Sequence, residues 1–282
     1  MPVPARLAKP FAPMPSCRTF MVRLYAHRGA AAERPENTLP AFRRALELGA
    51  DALETDAHMT RDGQVVVAHD LDGRRMAGVD RAIRDCTLAE VQRWVAGWGF
   101  VDASGQRPFA GQGIRVPTLE ELLGALPGTL LNLDVKQTAP DMVPTLLALL
   151  ARLHAEDRVQ LASFSSTTLR RIRRLGYQGV TSLGMWEVAR LVFSPLALLR
   201  LFPLGGSRAQ VPLSQAGIPI ARESFIARCR SLCIHADFWT VNDPAEAVRL
   251  AAIGADGIMT DDPALVAPVL RKTPSPSGAA TS

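Results

Sequence analysis

Residues 51–68 read DALETDAHMTRDGQVVVA. Two short strand-like runs, 51–57 (DALETDA) and 64–68 (QVVVA), stand on either side of Thr60-Arg61-Asp62-Gly63, a tight-turn sequence. The second run is therefore expected to fold back as a hairpin partner of the first. This decides the fold, because it settles a count. Strand-like runs occur at 22–26, 51–57, 64–68, 129–135, 158–162, 178–183, 209–213, 234–241 and 256–260, one more than a closed eight-stranded barrel holds. With 64–68 set aside as a hairpin arm, eight remain. Helical periodicity follows at about 38–49, 118–125, 140–154, 165–175, 222–230 and 244–253, the alternation of βα units on a parallel sheet. The expected fold is α/β, a (β/α)8 TIM-type barrel with a hairpin and insertion between the second and third barrel strands.

One catalytic-sized domain is expected over 21–268. The 282 residues are 48% hydrophobic and 21% charged, a globular composition that excludes disordered and collagen-like classes. No apolar run approaches the ~18 residues of a membrane span. Residues 1–20, with five prolines and no apolar signal core, read as a disordered leader, with Met21 as an alternative start. Residues 269–282, rich in Pro, Ser and Gly from Thr273 onward, read as a disordered tail. Two excursions, 71–116 and 185–206, break the βα rhythm. The second, MWEVARLVFSPLALLRLFPLGG, reads either as a helical excursion packed on the barrel or as a flap touching a lipid-like substrate or a membrane surface. Cys17, Cys86, Cys229 and Cys233 lack zinc-site spacing and read as free thiols, which suits a cytoplasmic location. The net charge of +5 is modest, and the 32 basic residues include only three lysines, Lys9, Lys136 and Lys272. The one interior lysine needs a chemical reason.

The chemistry-bearing residues sit at strand ends. In a barrel the C-terminal ends of the strands form the site. The first strand runs into His27-Arg28, a titratable group beside a permanent cation. In the second, Glu54 and Asp56 are two apart and share a face, and paired carboxylates in a barrel mouth repel unless a cation lies between them. Hard divalent ions take such oxygen ligands. The hairpin arm ends at His69, so two imidazoles with pKa values near neutrality reach the mouth, one for each half of acid–base catalysis. Asn132, Asp134 and Lys136 share one face of the next strand, and a buried lysine beside an aspartate suggests a phosphate site next to a metal.

These motifs carry a resemblance. His27-Arg28-Gly29, Pro35-Glu36-Asn37-Thr38, Glu54-x-Asp56, Thr60-x-Asp62-Gly63, His69-Asp70 and Asn132-x-Asp134-x-Lys136 resemble the glycerophosphodiester phosphodiesterase family of the phospholipase C-like phosphodiesterase superfamily. The likeness continues through Ser163-Phe164, Trp239-Thr240-Val241-Asn242 and the 254–261 segment GADGIMTD, over about residues 22–265. It implies metal-dependent hydrolysis of glycerophosphodiesters, such as glycerophosphocholine and glycerophosphoethanolamine, to sn-glycerol 3-phosphate and an alcohol. It further implies His27 and His69 as the catalytic pair, Glu54, Asp56 and Asp134 as ligands of Mg²⁺ or Ca²⁺, and Arg28 and Lys136 as phosphate-binding cations. Either imidazole could be the base. The last metal ligand in the family is usually glutamate; Asp134 is shorter by a methylene, which leaves open a displaced metal, an intervening water or a weaker site.

Smaller expectations complete the reading. Phe164 and Trp239 are candidates for a substrate pocket, and Asn242 and Asp261 read as cap or turn residues. His58, His154 and His235 read as structural or exposed. The arginine run Arg170, Arg171, Arg173, Arg174 reads as a solvated helix face, and the chain carries no nucleic-acid-binding module, so a small-molecule diester is the expected partner. A lysophospholipase D type activity is the alternative, motivated by 185–206.

Overall fold

The computed structural model describes residues 22–215 and 217–272. The strands of its main sheet are β1 (Arg23–His27), β2 (Ala52–Met59), β3 (Val65–Val67), β4 (Leu130–Val135), β5 (Val159–Ala162), β6 (Arg208–Pro212), β7 (His235–Trp239) and β8 (Gly257–Thr260). All are parallel except β3, and the parallel strands lie in the order β5-β4-β2-β1-β8-β7-β6. The two ends of this order meet. Thr181 forms a parallel bridge with Leu161, and Ser182 with Arg208. The expected strand at 178–183 is thus reduced to a two-residue stave that closes the barrel, bounded by Gly179 and Gly184, which weaken strand pairing.

The hairpin is present. β3 pairs antiparallel with β2 in the register Ala57↔Val67, His58↔Val66 and Met59↔Val65. Its turn is held by Thr60, whose N–H donates to the Gln64 carbonyl at 2.9 Å and whose hydroxyl donates to Asp62 at 2.6 Å. Gly63 supplies the left-handed φ of +78° that the turn requires.

Helices follow the strands: α1 (Leu39–Glu47), α2 (Leu119–Ala125), α3 (Val143–Arg152), α4 (Ser166–Arg174), α5 (Met185–Phe193), α6 (Leu196–Leu201), α7 (Glu223–Arg230), α8 (Pro244–Ala252) and α9 (Pro263–Lys272). Side-chain oxygens of Thr38, Thr118, Ser165 and Asp243 accept backbone N–H bonds at the starts of α1, α2, α4 and α8. α9 corrects an expectation. The domain is expected to end at 268 with a disordered tail from 269, yet the helix runs through Pro268 to Lys272. Val266, Ala267 and Leu270 are buried, and that packing carries the helix across the proline. The leader at 1–20, Met21 and residues 273–282 lie outside the described residues.

The two excursions differ in kind. Residues 71–116 contain a small hairpin, Asp72–Gly73 with Val79–Ala82, and short helical turns around a separate apolar cluster of Met76, Ile83, Cys86, Val91 and Trp94 set on Val66 of β3. Residues 185–206 form α5 and α6, which bury Leu191 and Leu199 beside Phe225 and Ile226 of α7. No helix among the described residues is long and apolar enough to cross a membrane.

Strand alternation sorts the barrel into an apolar shell and a polar interior. Leu24, Leu53, Leu131, Leu133, Phe238 and Ile258 face the helices. Tyr25, Ala52, Leu130 and Met259 meet inside. Above them Asn132 accepts from Gln160 at 2.8 Å and from Gln210 at 3.0 Å. Inside the barrel Arg208 pairs with the fully buried Asp237, its Nε donating at 2.7 Å. Gly257 is required beside this pair, since a Cβ there would come within 2.8 Å of the Tyr25 ring. Asp237→Ala leaves a guanidinium buried without its counter-charge and is expected to lower stability by about 3–5 kcal/mol in urea unfolding at neutral pH. A loss below about 1 kcal/mol would show that the pair is dispensable.

Candidate active site

Barrel register brings the sequence-predicted groups to one mouth. His27 at the end of β1 lies opposite Glu54 of β2, and Asp56 lies opposite Asp134 of β4. β3 returns the chain so that the Ala68 N–H bonds the Asp56 carbonyl, which sets His69 beside the same group of carboxylates. Lys136 follows directly on β4, and its ammonium is 2.7 Å from Asp134 and 3.1 Å from Asp56. Arg28 leaves β1 with a left-handed φ of 58°; its N–H donates to Glu54 Oε2 at 3.1 Å. Its Nε stands 3.5 Å from Asp56, and its Nη1 donates to Glu36 at 3.1 Å. Phe164 and Trp239 also meet, edge to face with centroids 5.7 Å apart, and Lys136 Nζ is 5.5 Å from the Phe164 ring.

Each imidazole is anchored by a carboxylate. His27 Nδ1 lies 2.7 Å from Asp261, and His69 Nδ1 lies 2.7 Å from Asp70. Asp261 is a correction to the expectation of a cap or turn residue. It continues the inward alternation of Gly257 and Met259 one residue past β8, and that parity is the signal that could have found it. Asn242 supports it, donating to Asp261 at 2.9 Å while accepting from the Asp261 N–H and the Thr260 hydroxyl. Burial alone would raise the Asp261 carboxyl, but the bonds from His27 and Asn242 hold it below its ordinary range. Asp70 is likewise lowered, by Arg75 and His69 against the opposing effect of burial. Two ionised carboxylates accept only, so each imidazole carries its proton on Nδ1 and presents Nε2 to the mouth.

Further residues escaped the sequence reading because their partners are distant along the chain. Arg75, from the excursion at 71–116, donates to Glu36 through Nη1 and Nη2 at 2.7 and 2.8 Å and to Asp70 through Nε at 2.6 Å. One guanidinium therefore ties the support of Arg28 to the support of His69. Asn37, at a left-handed φ of 56° that asparagine tolerates, donates to Asp56 at 3.0 Å and accepts from Thr55 at 2.6 Å. His58 bonds the His69 carbonyl region through Nε2 at 3.2 Å, and His235 pairs with Asp256 at 3.3 Å.

The electrostatics are strained in one direction. Burial, then the charges of Asp56 and Asp134, push the Glu54 carboxyl up to about 8 against the pull of His27 and Arg28. Burial also raises Asp134 in spite of Lys136. For His27 burial lowers the pKa, but Glu54 and Asp261 outweigh it and the imidazole is raised above its ordinary value. Asp134 Oδ1 is buried without a hydrogen-bond partner. An all-oxygen donor set with unmet negative charge fits a hard divalent cation. Among the described residues no three His, Cys, Asp or Glu side chains are already gathered to grip an ion, since Lys136 stands between Asp56 and Asp134.

Fold and site together define a parallel barrel hydrolase built for an anionic ester: cations, imidazoles and carboxylates share one mouth. The comparisons with known proteins name the class further. The sequence model of the Glycerophosphoryl diester phosphodiesterase family matches residues 27–265, and the chain belongs to that family. A glycerophosphodiester phosphodiesterase of Caldanaerobacter subterraneus subsp. tengcongensis is 31% identical over 252 residues, which cover 88% of this chain and 97% of the relative. A human lysophospholipase D is 29% identical over 268 residues, covering 86% of this chain and 84% of the relative. The crystal structure of a glycerophosphodiester phosphodiesterase from Agrobacterium tumefaciens str. C58 superposes with a TM-score of 0.73, covering 88% of this chain and 99% of that one at 23% identity, and shares the fold.

The tautomers are directly measurable. ¹⁵N NMR at a pH where both imidazoles are neutral is expected to find protons on Nδ1 of His27 and His69. Asp261→Asn should blur that preference for His27 alone; a Nε2–H tautomer at either wild-type histidine contradicts the geometry.

Proposed function

We propose that the chain hydrolyses glycerophosphodiesters to sn-glycerol 3-phosphate and an alcohol, with His27 as base and His69 as acid. The observation that carries this assignment is the pair of carboxylate-anchored imidazoles flanking one buried cluster of charges. Nε2 of His27 lies 3.9 Å from Glu54, while His69 follows Ala68, whose N–H bonds the Asp56 carbonyl. A phosphodiester anion repels nucleophiles, so its site must supply positive charge that grows in value toward the transition state. Arg28 and Lys136 hold phosphate oxygens in this reading. Glu54, Asp56 and Asp134 would hold Mg²⁺ or Ca²⁺, which when bound supplies Lewis-acid charge to a phosphate oxygen.

His27 takes the proton from the attacking hydroxyl, either the glycerol 2-hydroxyl or water, at Nε2. Asp261 stabilises the imidazolium that results. As the new phosphorus–oxygen bond forms, the bond to the headgroup oxygen breaks, and His69, protonated on both nitrogens for this step, gives that oxygen its Nε2 proton so that it leaves as an alcohol. Attack by the 2-hydroxyl leaves a cyclic phosphate, which water then opens to sn-glycerol 3-phosphate with the proton transfers reversed. Burial lowers the pKa of His27, but Glu54 and Asp261 overcome it, which makes His27 a stronger base than an ordinary imidazole.

His27→Ala and His69→Ala are each expected to lower kcat by about 10²- to 10⁴-fold on glycerophosphocholine. Near-wild-type turnover in either variant sinks the assignment. Exhaustive chelation should abolish turnover, with recovery on adding Mg²⁺ or Ca²⁺; full activity after chelation removes the cation from the reading.

One observation favours a second substrate. Met185, Trp186, Phe193, Leu201 and Phe202 of α5, α6 and the segment that follows are exposed, and this apolar face begins at the mouth, where the Met185 N–H bonds the Phe164 carbonyl. An acyl chain leaving the mouth would lie against it. Lysophosphatidylcholine hydrolysis that falls several-fold in Trp186→Ser, with glycerophosphocholine hydrolysis unchanged, supports lysophospholipase D activity. Equal effects on both substrates remove it.

A further inference from the structure

The mouth has two unlike sides. On one side Trp239, at the end of β7, meets Phe164, two residues past β5, edge to face. Next to β3, on the side of His69, lies a cavity of about 200 Å³. Lys136 borders both, so a phosphate held there sends its two ester arms to different chemical surroundings. The cavity is bounded by His58, whose Nε2 is 3.2 Å from the His69 carbonyl oxygen, and by Leu71, two residues beyond His69. The main chain that carries His69 therefore runs along its border, and Lys136, the cation proposed for the phosphate, is part of its lining.

We infer that this cavity receives the departing alcohol and selects anionic or polyhydroxylated alcohols over ammonium alcohols. The inference rests on the assignment of His69 as the acid. Arg84, Lys136, Gln137 and Thr138 supply its polar lining, which contains no carboxylate and no Phe, Tyr or Trp. Ammonium groups are recognised by aromatic faces or by carboxylates, and this wall offers neither. Arg84 forms no ion pair with any carboxylate of the described residues; its guanidinium reaches only the Ala139 carbonyl, at 3.4 Å. A guanidinium in that state presents several donors to hydroxyl, carboxylate or phosphate oxygens. Gln137 is fixed by bonds to the Met59 N–H and the Pro140 carbonyl, so the floor of the cavity is rigid. The glycerol arm is left to the aromatic side, where Trp239 gives a flat apolar wall.

The test is a comparison of kcat/KM for the metal-loaded full chain on four diesters: glycerophosphoglycerol, glycerophosphoinositol 4-phosphate, glycerophosphocholine and glycerophosphoethanolamine. The first two are expected to be faster by about tenfold or more, the scale of one charge-assisted bond. Arg84→Glu should lower glycerophosphoinositol 4-phosphate hydrolysis by at least about tenfold and leave glycerophosphocholine hydrolysis unchanged or faster. Equal or faster wild-type turnover of glycerophosphocholine overturns the inference, as does an Arg84→Glu effect of equal size on all four. Either result leaves the phosphodiesterase assignment standing. Hydrolysis of none of the four overturns that assignment, and the inference with it.

Discussion

The structure is organised around a charge that it cannot bury alone. Glu54, Asp56 and Asp134 project from adjacent parallel strands into a mouth where each is almost fully shielded from water. Burial, and then the like charges around them, raise the carboxyl groups of Glu54 and Asp134. Compensation comes from cations that the backbone delivers one residue beyond the strands or at their ends. Lys136 touches both Asp56 and Asp134 with a single nitrogen, which a compact ammonium can do between two carboxylates. Arginine's planar fork suits bidentate pairing with one, as Arg208 does with Asp237 inside the barrel. That contrast accounts for the interior lysine in a chain that writes 29 of its 32 positive charges as arginine.

The same arrangement explains which parts of the site were legible in sequence. Every group on a regular strand could be found, because alternation with period two fixes its side: Glu54 with Asp56, and Asn132 with Asp134 and Lys136. Asp261 follows the same parity but lies one residue past β8, next to Asp262, whose carbonyl and side chain open α9. Two adjacent aspartates before a helix look alike in sequence, and only closure of the barrel separates the cap from the imidazole's partner. Arg75 carried no local signal at all. Its importance comes from meeting Glu36, 39 residues away, across the mouth. The closing stave was foreseen as a strand, yet between Gly179 and Gly184 only Thr181 and Ser182 pair, since the rest of the segment has too little regular backbone to extend the ladder. The end of the domain lay further on than composition suggests, because burial of Val266, Ala267 and Leu270 carries α9 through Pro268 to Lys272.

The two imidazoles are alike in chemistry and unlike in what holds them. His27 and Asp261 terminate neighbouring strands of the barrel, with Asn242 locking the carboxylate, so their geometry is as stable as the fold itself. His69 stands at the end of a three-residue antiparallel arm, and Asp70 behind it is oriented by Arg75 from the excursion at 71–116. That excursion packs on its own small apolar cluster, seated on β3 through Val66. Regions with separate cores open at lower free-energy cost than the elements of the main core. The base side of the site is therefore set by the barrel, while the acid side is set by an inserted unit that also supplies Arg84 and Leu71 to the cavity beside it. Diversity in this insertion can change what leaves the phosphate without disturbing the charges that bind it, because Glu54, Asp56, Asp134 and Lys136 all belong to strands or their immediate continuation.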